Sequence, residues 1–480
     1  RQLMDETPRR FEGFSANPQV AEAWLANDLL EISNRGKVGR EAVVGPRPFH
    51  LNAFKLAQPK YMKDYGASAQ VWAMLYYADR PLLGRLKAFF GQGIDPATDE
   101  YDFHTELDLE TLAVLGLVDQ VKVDHATSPA PVPIEPLCTG QGRILAEDLR
   151  FLLAYEGAVP RHVLATYVRT AMSLHLSLLL LRLFRILPAE VKRVQKQEHT
   201  FRCPVDAGEK LDCTDCPFGF EIKVDLVEEA TGPMAALAEA SAAEHIDGIA
   251  SYVRSVILLN RLKDFGAAEA MRGRMKAPNT VADLLAILAD PPARLDAAFE
   301  NDVDNALRVD DGAEVDPIER AVISMPGLSP LDQFVELICL KRLKDERNRL
   351  ITLVDSLTDK NRPGGFLRQS AGARAQRRFV LGSRLLETLV QIAVVDRSAD
   401  GRISSRPVLI DDFMGWLQRR YGFVIYAPMH RSVPPNEQEA WRSNERALRE
   451  RLHQIGFYTD LSDAYNSQTL RPRYPVNSDA

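Results

Sequence analysis

The sequence at residues 162–187 is HVLATYVRTAMSLHLSLLLLRLFRIL, which is apolar on nearly every side of a helix. A helix of this kind is buried in a large core or spans a membrane. Its longest apolar run, residues 170–181, lies between Arg169 and Arg182 and is well short of the roughly 20 residues that a membrane span requires. The sequence therefore predicts a buried central helix that ends at Pro188, and no membrane contact.

The composition around this helix is that of an ordinary globular protein. Hydrophobic residues make up 46% of the 480-residue chain and charged residues 26%, whereas aromatic residues make up only 8%. Segments rich in alanine and leucine favour helices over a sandwich of short strands. Because a chain of this length exceeds what one hydrophobic core usually supports, we expect a mainly α, multidomain fold.

Breaks in the helical pattern predict six segments. The most distinct is SPAPVPIEP at 128–136, whose four prolines exclude a helix or a central strand. The predicted segments are an N-terminal helical domain at 1–127, a proline-rich linker at 128–137, a central helical domain at 138–299, an acidic connection at 300–330, an amphipathic helix with a basic loop at 331–378, and a C-terminal α+β module at 379–480.

Charge is distributed unevenly along the chain. Between Lys341 and Arg473 there are 24 Lys and Arg against 15 Asp and Glu, a net charge of +9, whereas the rest of the chain carries −16. This predicts a positive C-terminal surface that attracts polyanions, although the overall net charge is −7. The alternative is two parts of the protein whose opposite charges face each other.

Three of the five cysteines lie close together and follow a histidine, in the motif His199-x3-Cys203-x9-Cys213-x2-Cys216. Zinc binds thiolates and imidazoles in a tetrahedron, and two ligands separated by two residues can hold one ion from a tight turn. We therefore predict a structural Zn²⁺ in a knuckle at 199–227, with Cys138 as the alternative fourth ligand. The alternatives are a redox-active CxxC pair or thiols without a shared role. So few cysteines do not form a disulfide framework in a chain this long, which predicts a cytoplasmic protein.

The C-terminal module contains three predicted helices and several short predicted strands. The helices are predicted over 379–395, 410–421 and 436–454, and the strands over 423–426, 455–458 and 469–474. This order resembles the winged-helix family, in which the third helix enters the major groove of DNA and the wing contacts phosphates. The resemblance implies that the third-helix and wing arginines bind nucleic acid, namely Arg442, Arg446, Arg449, Arg471 and Arg473. Acidic residues on the same helix would repel phosphates, so docking of a protein is the alternative.

A basic segment precedes this module. Residues 341–378 hold 11 Lys and Arg against 4 acidic residues and include the turn Pro363-Gly364-Gly365. We expect a flexible loop here whose cations neutralise phosphates without reading sequence. The arginines concerned are Arg362, Arg368, Arg374, Arg377 and Arg378. The alternative is a basic loop that is merely solvated.

Catalytic signals are weak, because the chain has neither a nucleotide-binding glycine loop nor a recognisable catalytic triad. Glu221-Ile222-Lys223, with Asp206 or Asp212 before it, is similar to the ExK motif of metal-dependent nucleases.

A second weak signal is the pair Arg169 and His175, which is similar to the arginine and histidine pair of HEPN-type ribonucleases. A lone histidine in a buried helix is more often a core residue that has its hydrogen-bond partners.

These observations favour a non-enzymatic nucleic-acid-binding or adaptor subunit of a larger machine. DNA processing or defence against phage is the setting that the combination of parts suggests. Its partners would be DNA or another nucleic acid and other proteins. The alternatives are a metal-dependent or HEPN-like nuclease and a scaffold that binds only protein.

Overall fold

The computed structural model describes most of the chain from residue 67 onward and short parts before it. The described residues are Phe14, 16–24, 32–33, 42–43, 67–90, 135–198, Cys203, Cys216, 220–229, 231–307, 316–370, 375–398, 400–427, 433–458 and 468–478. Helices dominate this part of the chain, which confirms the mainly α prediction.

Thirteen helices are present in the described residues. In chain order they are α1 (Pro18–Trp24), α2 (Ala67–Ala78), α3 (Arg80–Phe90), α4 (Thr139–Leu153), α5 (Arg161–Gln195), α6 (Pro233–Met271), α7 (Val281–Ala289), α8 (Leu295–Ala306), α9 (Pro317–Ile323), α10 (Pro330–Leu357), α11 (Ser383–Ala393), α12 (Ile410–Tyr421) and α13 (Pro435–Gln454).

The strands of the described residues are two or three residues long. They are β1 (Ile32–Ser33), β2 (Ala42–Val43), β3 (Ile222–Lys223), β4 (Leu367–Gln369), β5 (Arg377–Phe379), β6 (Val395–Arg397), β7 (Ile403–Ser405), β8 (Val408–Leu409), β9 (Phe423–Val424), β10 (Thr469–Leu470) and β11 (Asn477–Ser478). All pair antiparallel except β3 and β9, which are parallel, with Ile222 opposite Phe423.

α5 is the central helix, as its apolar sequence predicts. It is long and apolar enough to cross a membrane by length and composition, but 78% of its most apolar window is buried inside the protein. The helix does not end at Pro188, as its sequence predicts, but continues to Gln195. Val191 and Val194, beyond the proline, are buried in a cluster with α6, α7 and α10. This packing outweighs the hydrogen bond that the proline removes.

The core of the C-terminal part is continuous with that of the central part. One hydrophobic cluster joins residues of α5, β3 and α6 to residues of α11, α12 and α13, including Leu178, Ile222, Leu385, Phe413 and Leu448. The parallel pairing of β3 with β9 crosses the same junction. The residues on either side of position 378 therefore share one core.

The strands of the C-terminal part differ from the winged-helix expectation. Residues 455–458 form a turn rather than a strand, and β10 pairs with β8 instead of forming a hairpin with them. β11 likewise pairs with β7. The strand predicted at 423–426 is present as β9. The expected hairpin after the third helix is thus replaced by pairings with strands that precede α12.

Candidate functional site

α13 is amphipathic: its apolar face packs against the core, and its polar face is exposed to solvent. Ala440, Trp441, Leu448 and Leu452 are buried. The opposite face carries Arg442 and Arg446, whose side chains are 71% and 69% exposed. Both arginines form ion pairs with Glu439, at 3.9 Å and 2.8 Å. Because these pairs are exposed, they hold the guanidinium groups only weakly.

Of the three other predicted third-helix and wing contacts, Arg449 and Arg473 are held more firmly by other side chains. Arg449 donates to Asp411 at 3.0 Å and also to Gln468. Arg473 donates to Glu387 at 2.6 Å, and its guanidinium lies 4.4 Å from the centre of the Phe457 ring. These contacts join α13 and the last strands to α11 and α12. Arg471 is exposed, and no ion pair forms at its side chain within the described residues.

A groove runs beside the exposed face of α13. Its volume is about 610 Å³, and its polar lining is Ser383, Ser443, Arg446, Glu450, Arg451 and Gln454. The opposite wall is formed by the first turn of α11 and by Leu226 and Val227. The groove thus offers hydroxyl and guanidinium donors along one helix.

Two carboxylates and three guanidiniums form an ionic cluster beside this groove. Arg451 pairs with Glu228 at 2.6 Å, and Arg368 contacts the same carboxylate. Arg378 lies 3.3 Å from Asp225 and donates to the carbonyl of Glu229 at 2.7 Å. Burial and the nearby charges of Arg451 and Arg378 lower the pKa of Arg368. The cluster therefore carries one positive charge in excess.

Asn444 holds the loop that presents these carboxylates. It is fully buried, accepts a hydrogen bond from the Leu226 amide at 2.7 Å and donates to the carbonyls of Val224 and Ile425, both at 2.9 Å. Glu228, in the same loop, has a positive φ of 61°. The loop is thus fixed to α13 by a side chain from the middle of the helix.

The basic segment before the module is packed, which corrects the expectation of a flexible loop. Residues 358–370 and 375–382 form a tight turn and the paired strands β4 and β5, with Phe366 and Phe379 buried in the core. A Cβ added at Gly365 would lie 2.1 Å from the carbonyl oxygen of Asp359. The glycine is therefore required by a close backbone approach rather than by mobility.

The arginines of this segment are also engaged within the protein. Arg377 donates to both oxygens of Asp355, at 2.7 and 2.8 Å, and Arg362 lies 3.9 Å from Asp359. Arg378 is buried in the cluster with Asp225. Arg374 lies outside the described residues. Contact of this set with nucleic acid stays a prediction.

The predicted zinc ligands are only partly described. Cys203 and Cys216 are half-buried, whereas His199 and Cys213 lie outside the described residues. Cys138, the alternative ligand, is buried at the start of α4 among hydrophobic residues. Within the part of the chain that the structure covers, no group of three or more His, Cys, Asp or Glu side chains is placed to bind a metal. The zinc knuckle therefore stays a prediction.

The two pairs of catalytic candidates differ in their accessibility. Glu221 is exposed and Lys223 is half-buried, so their catalytic role stays a prediction, whereas the histidine of the second pair is enclosed. Lys223 lies on β3, and the carbonyl of Glu221 is bonded to His245 at 3.0 Å. Asp206 and Asp212 lie outside the described residues. His175 is fully buried, and Arg169 donates to Thr166 one turn earlier. In this arrangement a phosphate has no access to the His175 ring.

His175 instead belongs to a buried polar network that sequence reasoning missed. Its Nε2 bonds to Asp148 at 2.8 Å and its Nδ1 to Gln141 at 2.6 Å. Asp148 also accepts hydrogen bonds from Arg420 Nε at 2.9 Å and from the Tyr421 hydroxyl at 2.6 Å. The network joins α4 and α5 to the end of α12. Since Asp148 and its partner Tyr421 are 273 positions apart, no local motif marks the network.

The charges of this network are set by burial and by pairing. Burial acts to raise the pKa of Asp148, but Arg420 and the hydrogen bonds of His175 and Tyr421 outweigh it and hold the pKa below its usual value. Burial lowers the pKa of His175, so the imidazole is neutral, and its Nε2–H group donates a hydrogen bond to the carboxylate of Asp148. The result is one ion pair with a neutral histidine, an arrangement that supports the fold.

Comparison with known proteins gives one match. Nothing matches among the curated proteins or the solved structures. A family model matches residues 1–474 and places this mainly helical chain among the proteins of a defence system. The family is described as "Methylation-associated defense system protein MAD7", and the chain belongs to it. This confirms the coarser functional prediction, a part in defence together with other components.

Proposed function

We propose that the chain is a non-enzymatic nucleic-acid-binding or adaptor subunit of its defence system, and that the exposed face of α13 is its nucleic-acid contact. The observation that carries this proposal is the exposed pair Arg442 and Arg446 on one helix, of which Arg446 also lines the groove together with Ser443 and Arg451. Their partner Glu439 is itself 62% exposed, so phosphates can replace it with little loss.

The ionic cluster supports the same surface. Arg451 and Arg368 share Glu228, and Arg378 lies 3.3 Å from Asp225, so the cluster beside the groove carries an excess of one positive charge. These three arginines hold the loop that carries Asp225 and Glu228 and add to the positive electrostatic potential. Arg442 and Arg446 contact the phosphates directly. Such contacts position a duplex without reading its sequence.

Binding of labelled duplex DNA, followed by fluorescence anisotropy at several salt concentrations, tests the proposal. The double variant Arg442→Glu/Arg446→Glu should weaken binding by at least about tenfold and lower the slope of log affinity against log salt by about 2, because two phosphate contacts are lost. Since the side chains are exposed, the thermal unfolding of the variant should match that of the parent protein.

Arg349→Glu is the matched control. Arg349 is exposed and pairs at 3.0 Å with Glu346, three positions earlier on α10, just as Arg442 pairs with Glu439 on α13. An equal loss of binding in this control, or no association at low salt, would contradict a specific surface on α13. Absence of any DNA binding together with stable co-purification of other subunits would favour the protein-only scaffold.

The family description names methylation, so the duplex is also used in methylated and unmethylated form. Phosphate contacts alone predict equal affinities for the two forms. A clear preference would show that side chains near α13 also reach the base edges.

A further inference from the structure

A second charged cleft lies far along the chain from α13, between the last turns of α6 and the first turns of α8. Its volume is about 520 Å³. Small side chains leave the space open, namely Ala268 on α6 and Ala297 and Ala298 on α8. The floor is formed by Phe265 and Phe299, which are almost fully buried. A cleft of this volume is the size of a small-molecule site, and a nucleic-acid duplex is too wide to enter it.

Four arginines line this cleft, and the end of α6 explains the position of two of them. Two residues after the end of α6, Gly273 has a φ of 69°, and the amide of Arg274 donates a hydrogen bond back to the carbonyl of Glu269 at 3.0 Å. This turn reverses the chain, so that Arg272 and Arg274 both return to the side chain of Glu269. Their Nη1 atoms donate to that carboxylate at 2.7 and 3.3 Å.

One carboxylate therefore holds two guanidiniums and leaves one positive charge uncompensated. Glu269 is only 9% exposed, and the hydrogen bonds from Arg272 and Arg274 lower its pKa. Within the described residues, both arginines bond Glu269 through Nη1 alone, so their Nε and Nη2 donors are left for a ligand. Glu269 acts as an anchor that orients the pair.

The remaining charges of the cleft do not cancel this excess. Arg261 is neutralised by Asp264 at 3.0 Å. Arg294, at the start of α8, has no ion pair within the described residues, and Asp302 is the remaining acidic group of the lining. Three guanidiniums thus face a space with a single anchoring carboxylate between them and one further acid on the opposite helix.

We propose that this cleft binds a compact oligophosphate anion, the phosphate chain of a nucleotide or an inorganic polyphosphate. Arginine forks match the oxygens of phosphate groups, and adjacent phosphates supply the several negative charges that three guanidiniums require. Phe265 and Phe299 expose too little ring surface to stack on a base, so recognition depends on the phosphates. The cleft is separate from the α13 groove, and this inference does not rest on the proposed function.

Isothermal titration of the complete protein with sodium tripolyphosphate and with ATP, at fixed ionic strength, tests the site. One mole of either probe should bind per mole of chain. Arg294→Ala should weaken binding by at least about tenfold, because one charged hydrogen-bond donor is lost. Since Arg294 makes no ion pair within the described residues, the Arg294→Ala variant should unfold at the same temperature as the parent protein.

Arg342→Ala is the control, because Arg342 is an exposed arginine of α10 outside the cleft and has no ion pair within the described residues. It should bind both probes as the parent protein does. Binding of tripolyphosphate at least as tight as that of ATP supports a site that recognises the phosphate chain alone. Tighter binding of ATP supports the site with a nucleotide as its ligand. Absence of binding of both probes, or an equal loss in Arg294→Ala and Arg342→Ala, overturns the proposal.

Discussion

Asp148 is fully buried and bonds to three side chains from two other helices: Arg420, His175 and Tyr421. Taking a carboxylate and a guanidinium out of water is unfavourable, and only their mutual attraction and hydrogen bonds offset it. Loss of one partner leaves the other charge buried and uncompensated. Substitution of either residue of the Asp148–Arg420 pair should therefore destabilise the fold.

Asp148→Asn should lower the free energy of unfolding by about 3 kcal/mol, because the buried Arg420 then keeps, within the described residues, only the partly exposed Glu147, at 2.7 Å, as its ion-pair partner. The double variant Asp148→Leu/Arg420→Met should recover much of this loss, since it removes both charges. Urea unfolding followed by circular dichroism measures both effects. Asp396→Asn is the control, because the Asp396–Arg406 pair is exposed and should contribute at most about 1 kcal/mol. A small effect of Asp148→Asn would contradict this account of the network.

His245 should make the protein sensitive to acid. Burial lowers its pKa from 6.5 to about 4 in the folded protein, although its bond to the Glu221 carbonyl opposes this. Between these two values the unfolded chain binds more protons than the folded one, so stability falls as the pH drops from 6.5 towards 4, by about 3 kcal/mol. At neutral pH His245 is uncharged in both the folded and the unfolded chain, so this loss of unfolding free energy does not occur.

The variant His245→Gln tests this linkage, because an amide can keep the hydrogen bond to Glu221 but does not titrate. Its unfolding free energy, measured between pH 7 and pH 4, should vary less than that of the parent protein. The exposed His453→Gln serves as control and should leave the profile unchanged. Part of the dependence should remain in His245→Gln, since burial also lowers the pKa of His175. Identical profiles for the two variants would refute the assignment to His245.

Helices follow from local signals, and the sequence predicts them well here. α12 is observed over the residues predicted, because Asp411 and Asp412 lie in its first turn and Gly422 ends it at a φ of 82°. The predicted amphipathic helix at 331–357 is α10, which starts after the capping residue Ser329. Residues 67–90 form the two helices α2 and α3, which are separated at Asp79, two residues before Pro81. Such signals act over a few residues and are visible in one sequence.

The partners of the arginines depend on tertiary structure and could not be predicted. Arg378 reaches Glu229, 149 positions away, and Arg420 reaches Asp148, 272 positions away. The C-terminal third does contain an excess of positive charge, but many of its arginines form ion pairs with carboxylates of the same chain. Sequence patterning shows which residues share a helix face and not which distant carboxylate meets that face. For this reason we restrict the proposed nucleic-acid contact to the exposed arginines of α13, Arg442 and Arg446.

Asn444 connects α13 to the parallel pair of β3 and β9, and its removal should loosen that connection. Asn444→Ala leaves the Leu226 amide and the carbonyls of Val224 and Ile425 without this partner, so we expect a loss of about 2–4 kcal/mol in unfolding free energy. Asn444→Asp has the same shape but turns an acceptor towards the two carbonyls, and should be worse still. Hydrogen exchange at the Leu226 amide should rise in both variants. Equal stability of Asn444→Asp and the parent protein would contradict the assigned hydrogen bonds.

The central and C-terminal parts of the chain share one hydrophobic core, so neither part can complete that core without the other. Leu385, Phe413 and Leu448 pack in the same cluster as Leu178 and Ile222. The Asp148–Arg420 pair crosses the same junction. If residues 379–480 were separated from the rest, these side chains would face water. The sequence-based boundary at 378/379 therefore divides a region in which packing is continuous.

A fragment of residues 379–480 should not fold by itself, because the partners of its apolar faces lie in α5, β3 and α6. We expect poor dispersion of amide resonances and no sigmoidal urea transition for the isolated fragment. The same fragment, expressed together with residues 1–378 as a separate chain, should recover both properties, since mixing restores the shared cluster and the β3–β9 pairing. The complete chain is the reference. A cooperative transition of the isolated fragment would show that the C-terminal part is an independent domain, because its own helices would then bury enough apolar surface without help from α5.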